Sequence, residues 1–317
     1  MRLYQPDREM TESIKKYHVV IIGGGPAGLS AGIYAARARL STLLIERAAI
    51  GGQIVTAGIV ENYPGFAGGI SGVELTQSMQ QQATKFGMET LYDEVLGIEI
   101  DGKQKIIKTP QGEFISEVVI VAGGARRQKL GVPGEAEFTG KGVSYCATCD
   151  GAFFRDKTVA VIGGGNAAVT EALELTKFAS KVVLVHRRNE LRATKILQER
   201  IKANSKVQIL WDTVVLEILG DKFVDKIKIR NLKTEKESEL AVSGVFVSVG
   251  SQPATNYLKG VVALDGVGAV VTNDKLETSV PGIYAAGDIR SGSIRQVISA
   301  AGDGAAAAVN AGKYISN

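Results

Sequence analysis

Residues 19–46 recur as residues 159–186, at a constant offset of 140 positions. In each copy an apolar strand (Val19–Ile22 or Val159–Ile162) runs into a glycine-rich turn and a stretch of small residues. A second apolar strand, Thr42–Ile45 or Val182–Val185, follows. Strand, tight turn, helix, strand is the parallel βαβ unit that binds dinucleotides. Gly23 and Gly163 permit the tight turn, and Gly25 and Gly165 let a pyrophosphate approach the backbone. Gly28 and Ala168 let the helix pack closely on the strand. The helix starts, Pro26-Ala27 and Asn166-Ala167, bring N–H groups and a positive dipole end to the phosphates. One such triplet is a weak signal. Two in register, each between a strand and a helix, predict an α/β chain with two Rossmann-like dinucleotide-binding domains.

The copies part at the end of the second strand. The first has Glu46-Arg47, and a carboxylate there suits a ribose 2′-hydroxyl. The second has His186, Arg187 and Arg188, with Arg192 four residues further on. Guanidiniums hold a 2′-phosphate through forked, charge-assisted hydrogen bonds, whereas a carboxylate repels it. The second site is therefore expected to take NADPH in preference to NADH, and the first a nucleotide with an unmodified ribose. A solvated helix start is the competing reading of the arginines; their place at the ribose position favours the phosphate.

The only two cysteines stand together in Cys146-Ala147-Thr148-Cys149-Asp150. A disulfide across two residues closes a tiny loop and is a poor staple, so the pair is read as reactive sulfur. Zinc needs two further ligands. The histidines are His18, placed ahead of a buried strand, and His186, at the end of another, so no metal is expected. Asp150 can give or take a proton during sulfur exchange, though a turn or cap role fits its spacing too. Two dinucleotide sites and one dithiol make an electron relay.

A chain of 317 residues, 45% hydrophobic and with 38 glycines, suits two domains rich in tight turns. The formal charge of +4, with no basic patch interleaved with aromatics, gives no support to nucleic-acid binding. The first 17 residues lack the apolar core of a signal peptide, and no apolar run reaches membrane-span length. Adjacent cysteines without a disulfide framework fit a reducing compartment, so the cytoplasm is expected.

Between the repeats, Phe114–Val121 reads as a strand leaving through 122–127, and Gly244–Val249 as a matching strand leaving through 250–253. Both exits read as turns and hinges. Residues 233–239 read as a solvated hairpin turn. Pro281–Asp288 reads as a short strand whose Asp288 can bond a ribityl hydroxyl, followed by a helix from about Arg295-Gln296. The small residues of 300–308 allow either close approach to a cofactor or tight helix packing.

The segment Gly142–Gly151 resembles the redox motif of the low-molecular-weight thioredoxin reductases. So do the two glycine fingerprints, Gly51-Gly52-Gln53, Glu61-Asn62-Tyr63-Pro64-Gly65, the His186-Arg187-Arg188 pattern with Arg192, Gly287-Asp288 and Arg295-Gln296. The resemblance runs from about residue 17 to the end, and the order and spacing of these motifs are more specific than any one of them. It implies a homodimer that reduces thioredoxin, or a glutaredoxin-like protein. FAD would occupy a discontinuous domain (1–125 and 252–317), and NADPH an inserted domain (126–251) that carries the dithiol. It further implies that Gly51, Gly52, Gln53, Asn62, Val95, Gly123, Asp288, Arg295, Gln296 and Val297 lie at FAD. Cys149 would be nearest the flavin, Cys146 would attack the partner, and Asp150 would relay protons.

Two departures stand out. Ala167 replaces a frequent Ser or Thr, and Gly123 a common Thr, so some loss of nucleotide affinity is the most to be expected. The 16-residue N-terminal extension carries no derivable role. Because dithiol and NADPH share a domain yet both need the flavin, the reading also expects the inserted domain to rotate about 122–127 and 248–254. A peroxiredoxin-serving flavoprotein would need an added thioredoxin-like module. A glutathione-reductase-like enzyme would place wider-spaced cysteines beside the first fingerprint. A nucleotide sensor would show no turnover, and a ferredoxin-type or oxygen-reducing flavoprotein would not need the cysteines.

Overall fold

The computed structural model describes residues 15–56 and 59–316; most of the N-terminal extension lies outside them. The first part of the chain comprises β1 (Lys15–Ile22), α1 (Pro26–Arg37), β2 (Thr42–Glu46), β3 (Ile59–Val60), β4 (Ile70–Ser71) and α2 (Gly72–Lys85). Next come β5 (Glu89–Tyr92), β6 (Gly97–Asp101), β7 (Gln104–Thr109), β8 (Gly112–Val121), β9 (Ala125–Arg127), β10 (Val143–Ser144) and α3 (Ala147–Asp150). The second repeat supplies β11 (Thr158–Gly163), α4 (Asn166–Leu175) and β12 (Lys181–Val185), followed by α5 (Lys195–Ala203) and β13 (Val207–Leu210). Then follow β14 (Thr213–Gly220), β15 (Val224–Asn231), β16 (Glu237–Ala241), β17 (Gly244–Ser248), β18 (Ser251–Pro253), β19 (Ile283–Ala285) and α6 (Val297–Ile315).

The chain divides into two compact bodies. Among the described residues the first holds 15–52, 76–124 and 254–316; the second holds 53–56, 59–75 and 125–253. Segment 53–75, which carries the small β3–β4 ladder, thus groups with the second body.

In the first body one sheet runs β5-β2-β1-β8-β7-β6. The β5, β2, β1 and β8 strands are mutually parallel, and β6 and β7 return antiparallel. The long β8 pairs with β7 at its N-terminal half and with β19 at its C-terminal half. Alternation along the central strands, a period of two, sends Val20, Ile22, Val119 and Val121 to one face, where Ile98, Ile107 and Ile283 complete a core. The helices α1 and α6 pack on each other. Gly304 makes that approach possible, because a Cβ there would lie 2.0 Å from the Ala27 carbonyl oxygen. The small residues of 300–308 therefore serve helix packing: Ala300, Ala301, Gly304, Ala307 and Ala308 are all buried.

The second body is built on a wholly parallel sheet, β10-β17-β11-β12-β13. Its strands are apolar on both faces, as a sheet covered on two sides requires. Val159, Val161, Val182, Leu184 and Phe246 face a core shared with α4 and α5. Ala160, Ile162, Val183, Val185, Val245 and Val247 face the antiparallel sheet β14-β15-β16 through Val215, Ile218 and Ile227.

Three local expectations change. His18 lies inside β1 rather than ahead of it, with its Nδ1 accepting the Ser41 N–H at 3.0 Å. The exits read as loose turns zip together as an antiparallel ribbon, Ser251 opposite Arg127 and Pro253 opposite Ala125. Glu237 and Glu239, read as turn residues, belong to β16, where they pair with Lys228 and Lys226.

Candidate active site: two glycine cradles and a disulfide

In the first body, Gly23 closes the turn after β1 at φ +110°, and a Cβ there would lie 2.4 Å from the Ala122 carbonyl oxygen. A Cβ at Gly28 would lie 1.8 Å from the Gly23 carbonyl oxygen. Gly25 is the N-cap of α1; no side chain caps that terminus, and its first turn holds no acidic residue. The nearest atom to a Cβ at Gly25 would be the Gly52 Cα at 3.9 Å, with Gly51 tied to the loop through its N–H on the Gly24 oxygen at 2.8 Å. The start of α1 therefore faces open, glycine-walled space, which fits a diphosphate. Glu46 ends β2 beside it. One carboxylate oxygen accepts the Gly24 N–H at 2.7 Å and the other the Ala48 N–H at 2.8 Å, so the same group shapes the loop and offers remaining lone pairs to a ribose.

The other residues expected at FAD are more scattered. Arg47 is exposed and pairs with Glu94 at 3.4 Å. The Val95 side chain belongs to the core. Gly123 follows β8, where a Cβ would stand 3.1 Å from the Tyr257 hydroxyl. Gln53 and Asn62 lie in the second body. The Gln53 amide donates to the Ala125 carbonyl at 2.6 Å, and Asn62 sits on the exposed loop 61–67. Asp288 lies in the 3-10 turn Gly287–Ile289, where burial pushes its carboxyl up against the opposing pull of Arg295. Arg295 adopts φ +58°, a conformation unfavourable for a side chain with a Cβ. Val297 opens α6, and Gln296 caps it in a reciprocal capping box with Ser299.

The second cradle repeats the first. The N-cap glycines have nearly the same backbone, φ −77° and ψ −177° at Gly25 against φ −92° and ψ −177° at Gly165. Gly165 has no neighbour within 4 Å of a hypothetical Cβ, and Gly163 abuts the Ser248 carbonyl as Gly23 abuts Ala122. Ala168 fits where its counterpart must be glycine, and the preceding turn differs, with Gly163 at φ +150°. Ala167 leaves the first turn of α4 without a hydroxyl. Asn166 instead accepts the Thr194 N–H at 2.8 Å, and the Arg192 N–H donates to the Gly164 oxygen at 2.7 Å.

Loop 186–194 is thus laced to the glycine turn. His186 is buried beneath Gly164, and its Nε2–H donates to the Glu190 carbonyl at 2.9 Å. Burial holds its pKa below the ordinary histidine value, so it is a neutral packing group at pH 7. Arg187, Arg188 and Arg192 are exposed on this loop, and none forms an ion pair among the described residues.

The same body carries the sulfurs. Cys146 and Cys149 form a disulfide at the start of α3, and the Cys149 N–H donates to the Cys146 sulfur at 3.1 Å. Cys149 is exposed and Cys146 partly so. Asp150 ends α3 and accepts the Ser144 hydroxyl at 2.6 Å. Next to Cys146, the Tyr145 phenol donates to Glu135 at 2.7 Å; burial first, and then Glu135, pushes it up to about 12.

Residues 17–304 match the pyridine nucleotide-disulphide oxidoreductase family. The thioredoxin reductase of Peptoclostridium acidaminophilum is 46% identical over 94% of this chain and 97% of its own length. That of Bacillus subtilis strain 168 is 47% identical, with 95% of each chain covered. The crystal structure of Lactococcus lactis thioredoxin reductase in its FR conformation superposes with a TM-score of 0.93 at 44% identity, over 95% of this chain and 99% of that one. The chain belongs to the thioredoxin reductase family. Like other members it is an FAD- and NADPH-dependent flavoprotein, and its Cys146–Cys149 pair fits the redox-active dithiol.

Two residues of the first body that carry no signal in the sequence, Asp303 and Arg290, brace the turn at Gly287. Asp303 on α6 accepts the Gly287 N–H at 3.1 Å and holds Arg290 through a two-point pair at 2.6 and 3.1 Å. Together they clamp the turn that carries Asp288. The residues lie 13 apart on different elements and show no periodic or motif-like signal.

Proposed function

We propose that this enzyme passes electrons from NADPH through FAD and the Cys146–Cys149 pair to the disulfide of thioredoxin. The observation that carries this reading is a short redox disulfide seated in a body with its own glycine cradle, beside a loop bearing three exposed arginines. Residues 1–125 and 252–317 would hold FAD through Gly23, Gly25, Gly28, Glu46 and Asp288. Residues 126–251 would hold NADPH, with Gly163, Gly165 and α4 facing the pyrophosphate and Arg187, Arg188 and Arg192 facing the 2′-phosphate. Bound FAD supplies the two-electron carrier between the nicotinamide and the disulfide.

Once reduced, the two cysteines act in sequence. Cys146 as thiolate attacks one sulfur of the partner disulfide, forming a mixed disulfide and expelling the second partner sulfur as thiolate, which takes up a proton. Cys149, deprotonated, then attacks the Cys146 sulfur. The Cys146–Cys149 bond re-forms, the other partner sulfur leaves, and it too is protonated. Two electrons and the two protons given up by the dithiol end on the partner. The Cys149 N–H is aimed at the Cys146 sulfur, and Asp150 beside them moves a proton. A homodimer in the cytoplasm, with thioredoxin preferred over a glutaredoxin-like partner, completes the proposal; no helix among the described residues is long and apolar enough to cross a membrane.

The test is NADPH oxidation, beside NADH, with thioredoxin and a coloured disulfide reporter. NADPH-specific, thioredoxin-dependent turnover is expected. Replacing Arg187 and Arg188 with alanine should lower kcat/KM for NADPH by about 10- to 100-fold while sparing NADH. Equal losses with both nucleotides would remove the arginines from the 2′-phosphate.

A further inference from the structure

The Ser144 hydroxyl stands at the junction of three groups around the dithiol. It is 6% exposed and is placed by β10, where Ser144 lies opposite Phe246 of β17. Its oxygen accepts the Cys146 N–H at 3.0 Å, and its single proton goes to the Asp150 carboxylate at 2.6 Å. An alternative acceptor, the Cys146 carbonyl at 3.4 Å, is the longer and weaker choice. The bond to Asp150 spans the loop that contains both cysteines, so it forms a second closure outside the disulfide. When the disulfide opens, the covalent closure is lost and the Ser144–Asp150 bond remains.

We propose that Ser144 is a positioning residue for dithiol–disulfide exchange, one that acts through Asp150. The inference rests on the reading of Asp150 as the proton carrier. A carboxylate at the end of a single turn of helix has rotamer freedom, and a buried hydroxyl at 2.6 Å fixes its direction. The same hydroxyl fixes the Cys146 backbone, so one side chain sets the geometry of both nucleophile and proton carrier. Alanine would keep the strand and remove all of this.

The test is a double-mutant cycle on the FAD-loaded enzyme with Ser144→Ala, Asp150→Asn and the pair. Thioredoxin-dependent turnover is followed as kcat and as KM for thioredoxin. The NADPH-driven reduction of ferricyanide, which takes electrons from the flavin without the dithiol, serves as the reference. FAD content and melting temperature report folding. Ser144→Ala is expected to lower kcat with thioredoxin about tenfold, to leave the KM for thioredoxin within about twofold, and to leave ferricyanide reduction unchanged. In the Asp150→Asn background the same change should add less than about twofold. Full additivity, or a loss confined to KM, would overturn the role of Ser144 while leaving Asp150 in place. An Asp150→Asn enzyme with normal thioredoxin turnover would sink the reading of Asp150 and the proposal with it. Loss of ferricyanide reduction or of FAD would make Ser144 a folding residue, and would overturn the proposal too.

Discussion

Asp303 is tied through the Gly287 backbone to the turn that carries Asp288, the residue proposed to hold FAD. The two oxygens of Asp303 are shared between the Arg290 guanidinium and the Gly287 N–H, and both charged side chains are mostly buried. Gly287 sits at φ +78°, and a Cβ there would lie 2.9 Å from the Ala27 Cβ, so the turn has little room to relax. Asp303→Ala leaves the guanidinium partly buried without its partner and should cost about 2–3 kcal/mol. It should also raise the Kd for FAD, because the Asp288 turn loses its tether. Flavin fluorescence on dilution and the melting temperature of the FAD-free protein separate the two effects. Unchanged FAD retention with a lowered melting temperature would confine Asp303 to stability. The contrast with Glu46 explains what a sequence can reveal at this scale. Glu46 stands at a fixed step from a glycine fingerprint and was legible. Asp303, Arg290 and Ser144 act through single hydrogen bonds between residues with no fixed spacing, and such bonds leave no pattern in a chain.

At the scale of elements the repeat was legible because backbone geometry demands particular residues. Gly28 is a sharp case, since any side chain there meets the Gly23 carbonyl oxygen at 1.8 Å. Gly28→Ala should therefore push α1 off β1, cost about 3 kcal/mol, and yield protein largely lacking FAD. Ala168→Gly, at the equivalent point of the second copy, should cost only about 1 kcal/mol of helix propensity. Absorbance of bound flavin and thermal unfolding distinguish these outcomes. The β9–β18 ribbon was not legible as strands. Its two arms are short and more than a hundred residues apart, and glycine and proline nearby read as turn punctuation. Arg127 on that ribbon pairs with the buried Glu171 of α4, whose second oxygen has no hydrogen-bond partner among the described residues. Burial raises the Glu171 carboxyl pKa, against the pull of Arg127. A raised carboxyl favours the folded state fully below its unfolded value, about 4.5, and that contribution fades as pH rises through the folded value. Arg127→Met should raise the folded value further. Its destabilisation should be small near pH 4.5 and grow to about 2–3 kcal/mol by pH 8. Urea midpoints at the two pH values read this directly; a loss independent of pH would mean that Arg127 acts by packing alone.

At the scale of the whole molecule, a relay differs from a simple reductase in that its stages can be separated. The nucleotide cradles are formed by backbone and by side chains that do not include the cysteines, and the disulfide closes too short a loop to hold a body together. By chain entropy it contributes no more than about 2 kcal/mol. Replacing both Cys146 and Cys149 with serine should therefore leave FAD content, melting temperature to within a few degrees, and NADPH-driven ferricyanide reduction close to those of the parent enzyme. Thioredoxin reduction should fall by at least about a thousandfold, since oxygen cannot take the part of a sulfur in exchange. The single variants then order the two sulfurs. Cys149→Ser keeps the attacking Cys146 and removes the group that resolves the mixed disulfide, so it should accumulate a covalent, reducible complex with thioredoxin on non-reducing gels. Cys146→Ser should not accumulate that complex to the same degree, because the remaining sulfur is the one assigned to the flavin side. Trapping through Cys149 instead would reverse the two roles while leaving the relay intact. Thioredoxin turnover that survived the double substitution would remove the dithiol from the path altogether and return the chain to the class of flavoproteins that hand electrons directly to an external acceptor.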